Sequence, residues 1–211
     1  MYHLTVTREA LRPGRREEIL KAAGELFGAR GYHATGMREL AHALELKGSS
    51  LYAHIDGKED LLWEIVDRAA TAFTVAADTV SDDLPPAERL EKLMSAHLRV
   101  ITLQLDHAAV FFQDWMHLAE DRRREMVARR DAYQQRFRQA ISDGAADGTF
   151  DVDDVDVATL VVLSALNFSY QWYDPDGRLD PEQLGQAYAQ VLMRGLQRRT
   201  NSRTDGDDRK E

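Results

Sequence analysis

The chain has 211 residues, with 27 Lys and Arg against 36 Asp and Glu, a formal net charge of −9, and no cysteine. The length allows one large domain or two small ones; the missing thiols exclude disulfides, thiolate zinc sites and thiol redox sensing; the acidic total argues against a protein that coats nucleic acid along its whole length, while leaving room for a local basic face. No apolar run reaches membrane-spanning length, and the start, Met1-Tyr2-His3-Leu4-Thr5, lacks a basic-then-apolar leader, so a soluble cytoplasmic protein is expected.

Residues 1–14 read as a flexible arm. Arg8, Arg12, Arg15 and Arg16 are spread over it and the start of the first helix. Such an arm can follow a minor groove or a phosphate backbone, or it is a solvated leader. Pro13-Gly14 precedes a helix with Ile19, Ala22, Ala23, Leu26 and Phe27 at helical spacing, stopped by Gly31. Thr35 is placed to cap a second helix bearing Met37, Leu40, Ala41 and Leu44. A tight connection, Glu45-Leu46-Lys47-Gly48, leads into Gly48-Ser49-Ser50-Leu51-Tyr52-Ala53-His54. That segment is too short to stand as a helix alone, and Leu46, Leu51 and Ile55 supply its tertiary contacts. Small hydroxyl residues beside Lys47 suit close approach to DNA, and Tyr52, His54 and Lys58 can reach phosphates on the same surface. Residues 1–58 hold nine Lys or Arg against seven Asp or Glu, so the front of an acidic chain is slightly positive.

The rest reads as more helix. Lys58 to about Val80 carries Leu61, Leu62, Ile65, Val66, Ala69 and Phe73 on one stripe and ends in the loop Ser81-Asp82-Asp83-Leu84-Pro85-Pro86. Pro86 to about Asp106 turns Leu90, Leu93, Met94, His97, Leu98, Ile101 and Leu105 inward. Ala108 to Leu118 is dense in aromatics, with Phe111, Phe112, Trp115 and Met116; Phe112 and Met116 suit a ligand pocket and ordinary core equally. Glu120 to Ser142 is rich in arginine over a stripe of Met126, Tyr133, Phe137 and Ile141. Most of those arginines are solvated or pair with nearby carboxylates. Arg130, three residues before Tyr133, is the candidate to hold a phosphate or carboxylate at a pocket mouth. Gly144 and Gly148 are read as a turn. Asp151 to Asp156 caps the next helix, which runs on to Tyr173 and is apolar on more than one side. Self-association is the economical reason for that, through Leu160, Leu163 and Phe168, joined by Leu184, Tyr188 and Val191 of a last helix capped by Asp180, with Pro181 at its first position. Residues 199–211 are polar and expected to be disordered.

The block from Ile19 to Leu62 resembles the amino-terminal domain of the TetR family of transcriptional regulators, through Ile19, Ala22, Leu26, Phe27, Gly31, Tyr32, Thr35, Leu40, Ala41, Leu51, Tyr52, His54, Lys58, Glu59 and Leu61. The resemblance implies phosphate contacts at Thr35, Tyr52 and Lys58, and a groove-facing surface around Lys47, Gly48, Ser49 and Ser50. The chain departs from the usual pattern at Lys47 and Gly48, where Ser and Lys are common, at Ile55 for Phe, and at Gly57; these positions bear on the operator sequence rather than the fold. More scattered positions, Asn167 to Gly177 and Leu192 to Leu196, are similar to a branch of the family that answers to acyl-CoA thioesters in fatty-acid, phenylacetate or sterol breakdown, and the Arg130–Tyr133 spacing fits it.

The expected architecture is therefore all-α, of about nine helices: a three-helix DNA-binding head over 15–62 and a ligand-binding and dimerisation body over 63–198. The expected DNA contacts are Arg15, Thr35, Lys47, Gly48, Ser49, Ser50, Tyr52, His54 and Lys58. The expected ligand contacts are His97, Ile101, Phe112, Met116, Arg130, Tyr133, Phe137, Asn167 and Trp172. The expected function is a ligand-responsive repressor that binds a palindromic double-stranded DNA operator as a homodimer and is released by a small-molecule effector, an acyl-CoA or else a hydrophobic drug-like molecule. No nucleophile–base pair, metal set or phosphate-cradling glycine loop stands out, so neither enzyme, metal site nor resident cofactor is expected.

Overall fold

The computed structural model describes residues 14–196; the arm, apart from Gly14, and the tail lie outside them. Nine α-helices form the described part: α1 (Arg15–Arg30), α2 (Met37–Ala43), α3 (Gly48–Tyr52), α4 (Lys58–Asp78), α5 (Pro86–Leu103), α6 (Leu105–Gln113), α7 (Glu120–Ala146), α8 (Val155–Asn167) and α9 (Pro181–Leu196), with 3-10 turns at Trp115–His117 and Phe168–Gln171. The all-α expectation holds.

The ends of these helices follow local chemistry. Gly31, at φ +86°, returns its N–H to the Phe27 carbonyl and stops α1. The Asp154 carboxylate accepts from the Asp156 and Val157 N–H groups at the start of α8. At α9, Asp180 accepts from the N–H groups of Glu182 and Gln183, and the Gln183 side chain accepts from the Asp180 N–H, a reciprocal capping box.

Other boundaries differ from the sequence reading. Thr35 does not cap α2; Gly36 holds that position without a side-chain bond. The chain breaks at Gln104 (φ −144°, ψ 58°), so α6 begins at Leu105 rather than Ala108. Gly144 lies inside α7, where a Cβ would stand 2.2 Å from the Phe150 ring; the glycine is there for the close approach, and the turn forms at Gly148, at φ +81°. The long apolar segment after Asp154 ends as an α-helix at Asn167 and tightens into the 3-10 turn before Tyr173.

Two apolar clusters share the interior. The first joins Ile19, Leu20, Phe27, Leu40 and Leu51 of the head to Leu61, Leu62, Ile65 and Val66 of α4 and to Ala108, Val110 and Phe111 of α6. The second is built from Leu90, Met94, Leu98, Phe137, Ile141, Val162, Leu166 and Leu184. The head thus has no core of its own apart from the body, as its size demands. Its first helix is pressed on α6 at Gly24, where a Cβ would meet the His107 ring at 2.5 Å, and at Gly28, beside the Asp106 backbone. Helix α4 contributes to both clusters, through Phe73 to the first and Ala77 to the second.

Candidate DNA-reading face and ligand cavity

The turn between α2 and α3 passes through Glu45 in the left-handed region (φ +55°). It presents α3 with Leu51 and the following Ile55 buried and Lys47, Gly48, Ser49, Ser50, Tyr52 and His54 exposed. Tyr52 is 55 % exposed, which no packing role explains. Arg16 reaches over this face, donating to the His54 carbonyl and to Glu64. Arg15 is exposed and bonded to Glu18.

One expected DNA contact is corrected by geometry. Thr35 is buried; its hydroxyl is directed at the Leu26 and Gly31 carbonyls, where it ties off the end of α1. Lys58 is partly exposed; its ammonium sits 4.3 Å from the centroid of the Tyr32 ring, a cation–π contact, and partial burial lowers its pKa from the usual lysine value. Behind Tyr32 lies a contact that the sequence did not single out: His33 and His117 share a ring-nitrogen contact at 3.0 Å, joining the head to the turn after α6.

A cavity of about 270 Å³ opens where α4, α5, α6, α7 and α8 converge. Phe73, Phe111 and Phe112 form its aromatic wall, with ring centroids 5.1–5.8 Å apart. His97, Arg130, Tyr133 and Asn167 supply the polar groups. The Tyr133 hydroxyl lies 3.0 Å from His97 Nδ1, and burial pushes the His97 pKa down to about 3, so this imidazole is neutral. Burial likewise raises the Tyr133 pKa, keeping the phenol protonated. The Arg130 guanidinium lies 5.3 Å from the Phe111 ring centroid and 4.9 Å from that of Trp115.

Of the expected ligand contacts, His97, Phe112, Arg130, Tyr133 and Asn167 line this cavity. The other four do not. Ile101 and Phe137 are fully buried core, Phe137 packing behind His97 and Tyr133. Met116 points to solvent, and Trp172 stacks on Tyr188 outside the cavity. The sequence reading missed Phe73, Phe111, Arg129, Gln134, Leu160 and Ser164. Two of these, Phe73 and Phe111, carried the same periodic signal as core.

An exposed apolar strip runs over α8, the following 3-10 turn and α9: Val157, Leu160, Val161, Phe168, Trp172 and Val191, each at least half exposed. The assignment of Leu163 and Leu184 to this face is corrected, because both turn into the subunit core. Tyr188 is partly covered and donates to the Ala165 carbonyl. Among the described residues no group of three or more His, Cys, Asp or Glu is placed to hold a metal ion, and no helix is long and apolar enough to cross a membrane.

Residues 19–65 match the model of bacterial regulatory proteins of the tetR family, and residues 83–196 match that of the tetracyclin repressor-like C-terminal domain. The HTH-type transcriptional repressor KstR2 of Mycolicibacterium smegmatis is 28% identical over 188 residues, covering 86% of this chain and 90% of that protein. The crystal structure of the TetR family regulator PfmR from Thermus thermophilus superposes with a TM-score of 0.76 at 33% identity, over 85% of this chain and 99% of that one. AibR, solved in complex with isovaleryl coenzyme A and operator DNA, superposes with a TM-score of 0.76 at 28% identity, over 85% of this chain and 98% of that one.

Proposed function

Because the chain belongs to the TetR family of bacterial regulators, we propose that it is a ligand-responsive transcriptional repressor, working as a homodimer in the cytoplasm and released from a palindromic operator by a small-molecule effector, a short acyl-CoA thioester. In this reading residues 15–62 read DNA, and residues 63–198 bind the effector and pair the subunits. Lys47, Gly48, Ser49 and Ser50 meet the major groove, with Tyr52, His54 and Arg15 on the flanking phosphates. Val157, Leu160, Val161, Phe168, Tyr188 and Val191 make the two-fold contact.

One observation carries the reading. Helix α4 starts next to the exposed α3, packs Leu61 and Leu62 into the head, and farther along places Ala70, Phe73 and Thr74 on the cavity wall. A ligand that fits better when α4 has shifted therefore favours the arrangement in which the heads no longer suit one duplex. AibR, similar in fold and bound to an acyl-CoA and operator together, supports the thioester class. The same chemistry favours binding over turnover: the neutral His97 is bonded to the Tyr133 phenol rather than to a serine or threonine hydroxyl that it could activate.

The test begins by selecting binding sites from a random duplex pool with the purified protein. A palindromic site is expected, and mobility-shift titration with short-chain acyl-CoAs should release it while free CoA does not. Release by an aromatic drug-like molecule and by no thioester would keep the repressor and discard the acyl-CoA. Failure to select any site would discard both.

A further inference from the structure

The inward-turned arginines of α7 are nearly all partnered. Arg122 pairs with Glu59 and Asp60, Arg129 with Asp67, Arg136 with Asp78 and Arg138 with Asp156. Arg130 differs. Among the described residues no carboxylate lies within ion-pair distance of it, and its Nη1 is shielded from solvent with no hydrogen-bond partner. Its surroundings are the Phe111 and Trp115 rings, which interact with a cation only through their faces. Asp131, adjacent in sequence, is exposed and offers distant compensation. A desolvated guanidinium ordinarily has a carboxylate forked against it, because the charge is costly to leave uncompensated. Here a partly covered guanidinium, one of its nitrogens shielded from solvent, stands on a cavity wall with no carboxylate against it.

A second orphan stands on the same cavity. His97 is 2 % exposed; its Nδ1 is held by Tyr133, and its Nε2 is buried with no partner in hydrogen-bonding geometry, the Asn167 side chain being its polar neighbour. Two helices thus contribute nitrogens without hydrogen-bond partners to a cavity whose apolar wall is Phe73, Phe111 and Phe112, an arrangement that suits a ligand carrying oxygen atoms rather than a plain hydrocarbon.

We infer that the effector brings its own anion into this cavity: a carboxylate seated on Arg130, at the end of a short apolar body packed among Phe73, Phe111 and Phe112. A neutral thioester carbonyl would accept one bond and leave the charge uncancelled. Arg130 Nη1 is shielded from solvent beside the Phe111 and Trp115 rings, so the anion that meets it enters with the part of the effector inside the cavity, where a planar carboxylate is the compact choice. Two molecules carry the required group: a free short-chain carboxylic acid, or a short acyl-CoA whose chain ends in a second carboxylate. The inference rests on the effector-responsive reading above and narrows it.

Calorimetric titration of the full-length protein with glutaryl-CoA, pentanoyl-CoA and free pentanoate tests it, on wild type and on Arg130→Gln. The two thioesters have the same chain length and differ by the terminal carboxylate. Glutaryl-CoA is expected to bind at least about tenfold more tightly than pentanoyl-CoA, and the gap to close in Arg130→Gln. Thermal melting confirms that the variant is folded, which removal of an unpaired cation favours. Binding of pentanoate alone, lost in Arg130→Gln, would support the inference and identify the free acid as its source, while discarding the thioester. Equal binding of the two thioesters, or a preference that survives Arg130→Gln, would overturn the inference and leave the acyl-CoA repressor standing. No binding by any of the three would overturn both.

Discussion

Thr35 shows how far a single side chain can be read. A hydroxyl at the head of a helix suggests a cap or a phosphate contact, and the sequence contains nothing to say that Gly36 takes the cap instead. What decides is the fold: the turn after Gly31 drops Thr35 under α1, where its hydroxyl meets two carbonyls. Thr35→Val should therefore cost stability, about 1 kcal/mol in chemical denaturation, with no change in the salt dependence of operator binding. Lys47→Ala should do the reverse, leaving stability within about 0.5 kcal/mol while weakening operator binding by about 1–3 kcal/mol and relaxing the preference at the base pair it meets. The cavity was only half legible for a related reason. A periodic stripe marks what is inside, and Phe73, Phe111, Ile101 and Phe137 share that mark; whether an inside residue borders a void depends on neighbours from other helices. His97 is the position with a pH signature. Its folded pKa of about 3 lies below the 6.5 of a free imidazole, so as pH falls the unfolded chain takes up the proton first. Its stabilising contribution is complete above pH 6.5 and is lost from there down toward pH 3, by about 1.4 kcal/mol per unit. Denaturation midpoints measured between pH 7.5 and 5 should fall more steeply in wild type than in His97→Gln, with the partly buried His107 contributing equally to both.

At the scale of helices, the sequence was most reliable where one residue type does a local job. Gly31, Asp154 and Asp180 mark ends that the backbone uses as expected. It was least reliable where a glycine has two uses. Gly144 and Gly148 look alike in a row of letters, yet one opens a turn with a positive φ and the other admits the Phe150 ring against a helix. Gly144→Ala should destabilise by about 1–3 kcal/mol through overpacking, read from urea unfolding; an unchanged midpoint would mean that Phe150 moves aside freely. The arginines of α7 hold a further pattern. Arg122, Arg129 and Arg136 recur every seven residues, which is nearly two turns and returns them to one stripe. That stripe faces α4, and each arginine finds a carboxylate there. These pairs are partly exposed and each is worth little alone, about 0–1 kcal/mol. Their value is positional: α4, which carries the head, and α7, which carries Arg130 and Tyr133, are held in one register.

For the whole molecule, the acidic total and the DNA-reading face are reconciled by division of labour: the slightly positive front is a minority of the chain, and the body supplies the negative charge. One such head, reading through the five-residue α3, is expected to hold its site weakly. Two heads fixed by a dimer convert the second contact into an intramolecular one, which multiplies affinity by about 10²–10⁴ without new chemistry. Under the proposed function the strip over α8 and α9 serves that pairing, since it gathers large apolar side chains that are at least half exposed in the subunit. Phe168→Glu with Val191→Glu places two charges on side chains that are 62 % and 70 % exposed in the subunit, so each chain should fold as before. Sedimentation should then report a monomer, and operator affinity should fall by about 10²-fold or more. The salt slope should drop to about half, as one head's phosphate contacts remain. A doubly substituted protein that still sediments as a dimer would move the two-fold contact elsewhere; one that becomes a monomer yet keeps the full salt slope would show that a single subunit makes every phosphate contact, and the paired-head account of operator binding would fall.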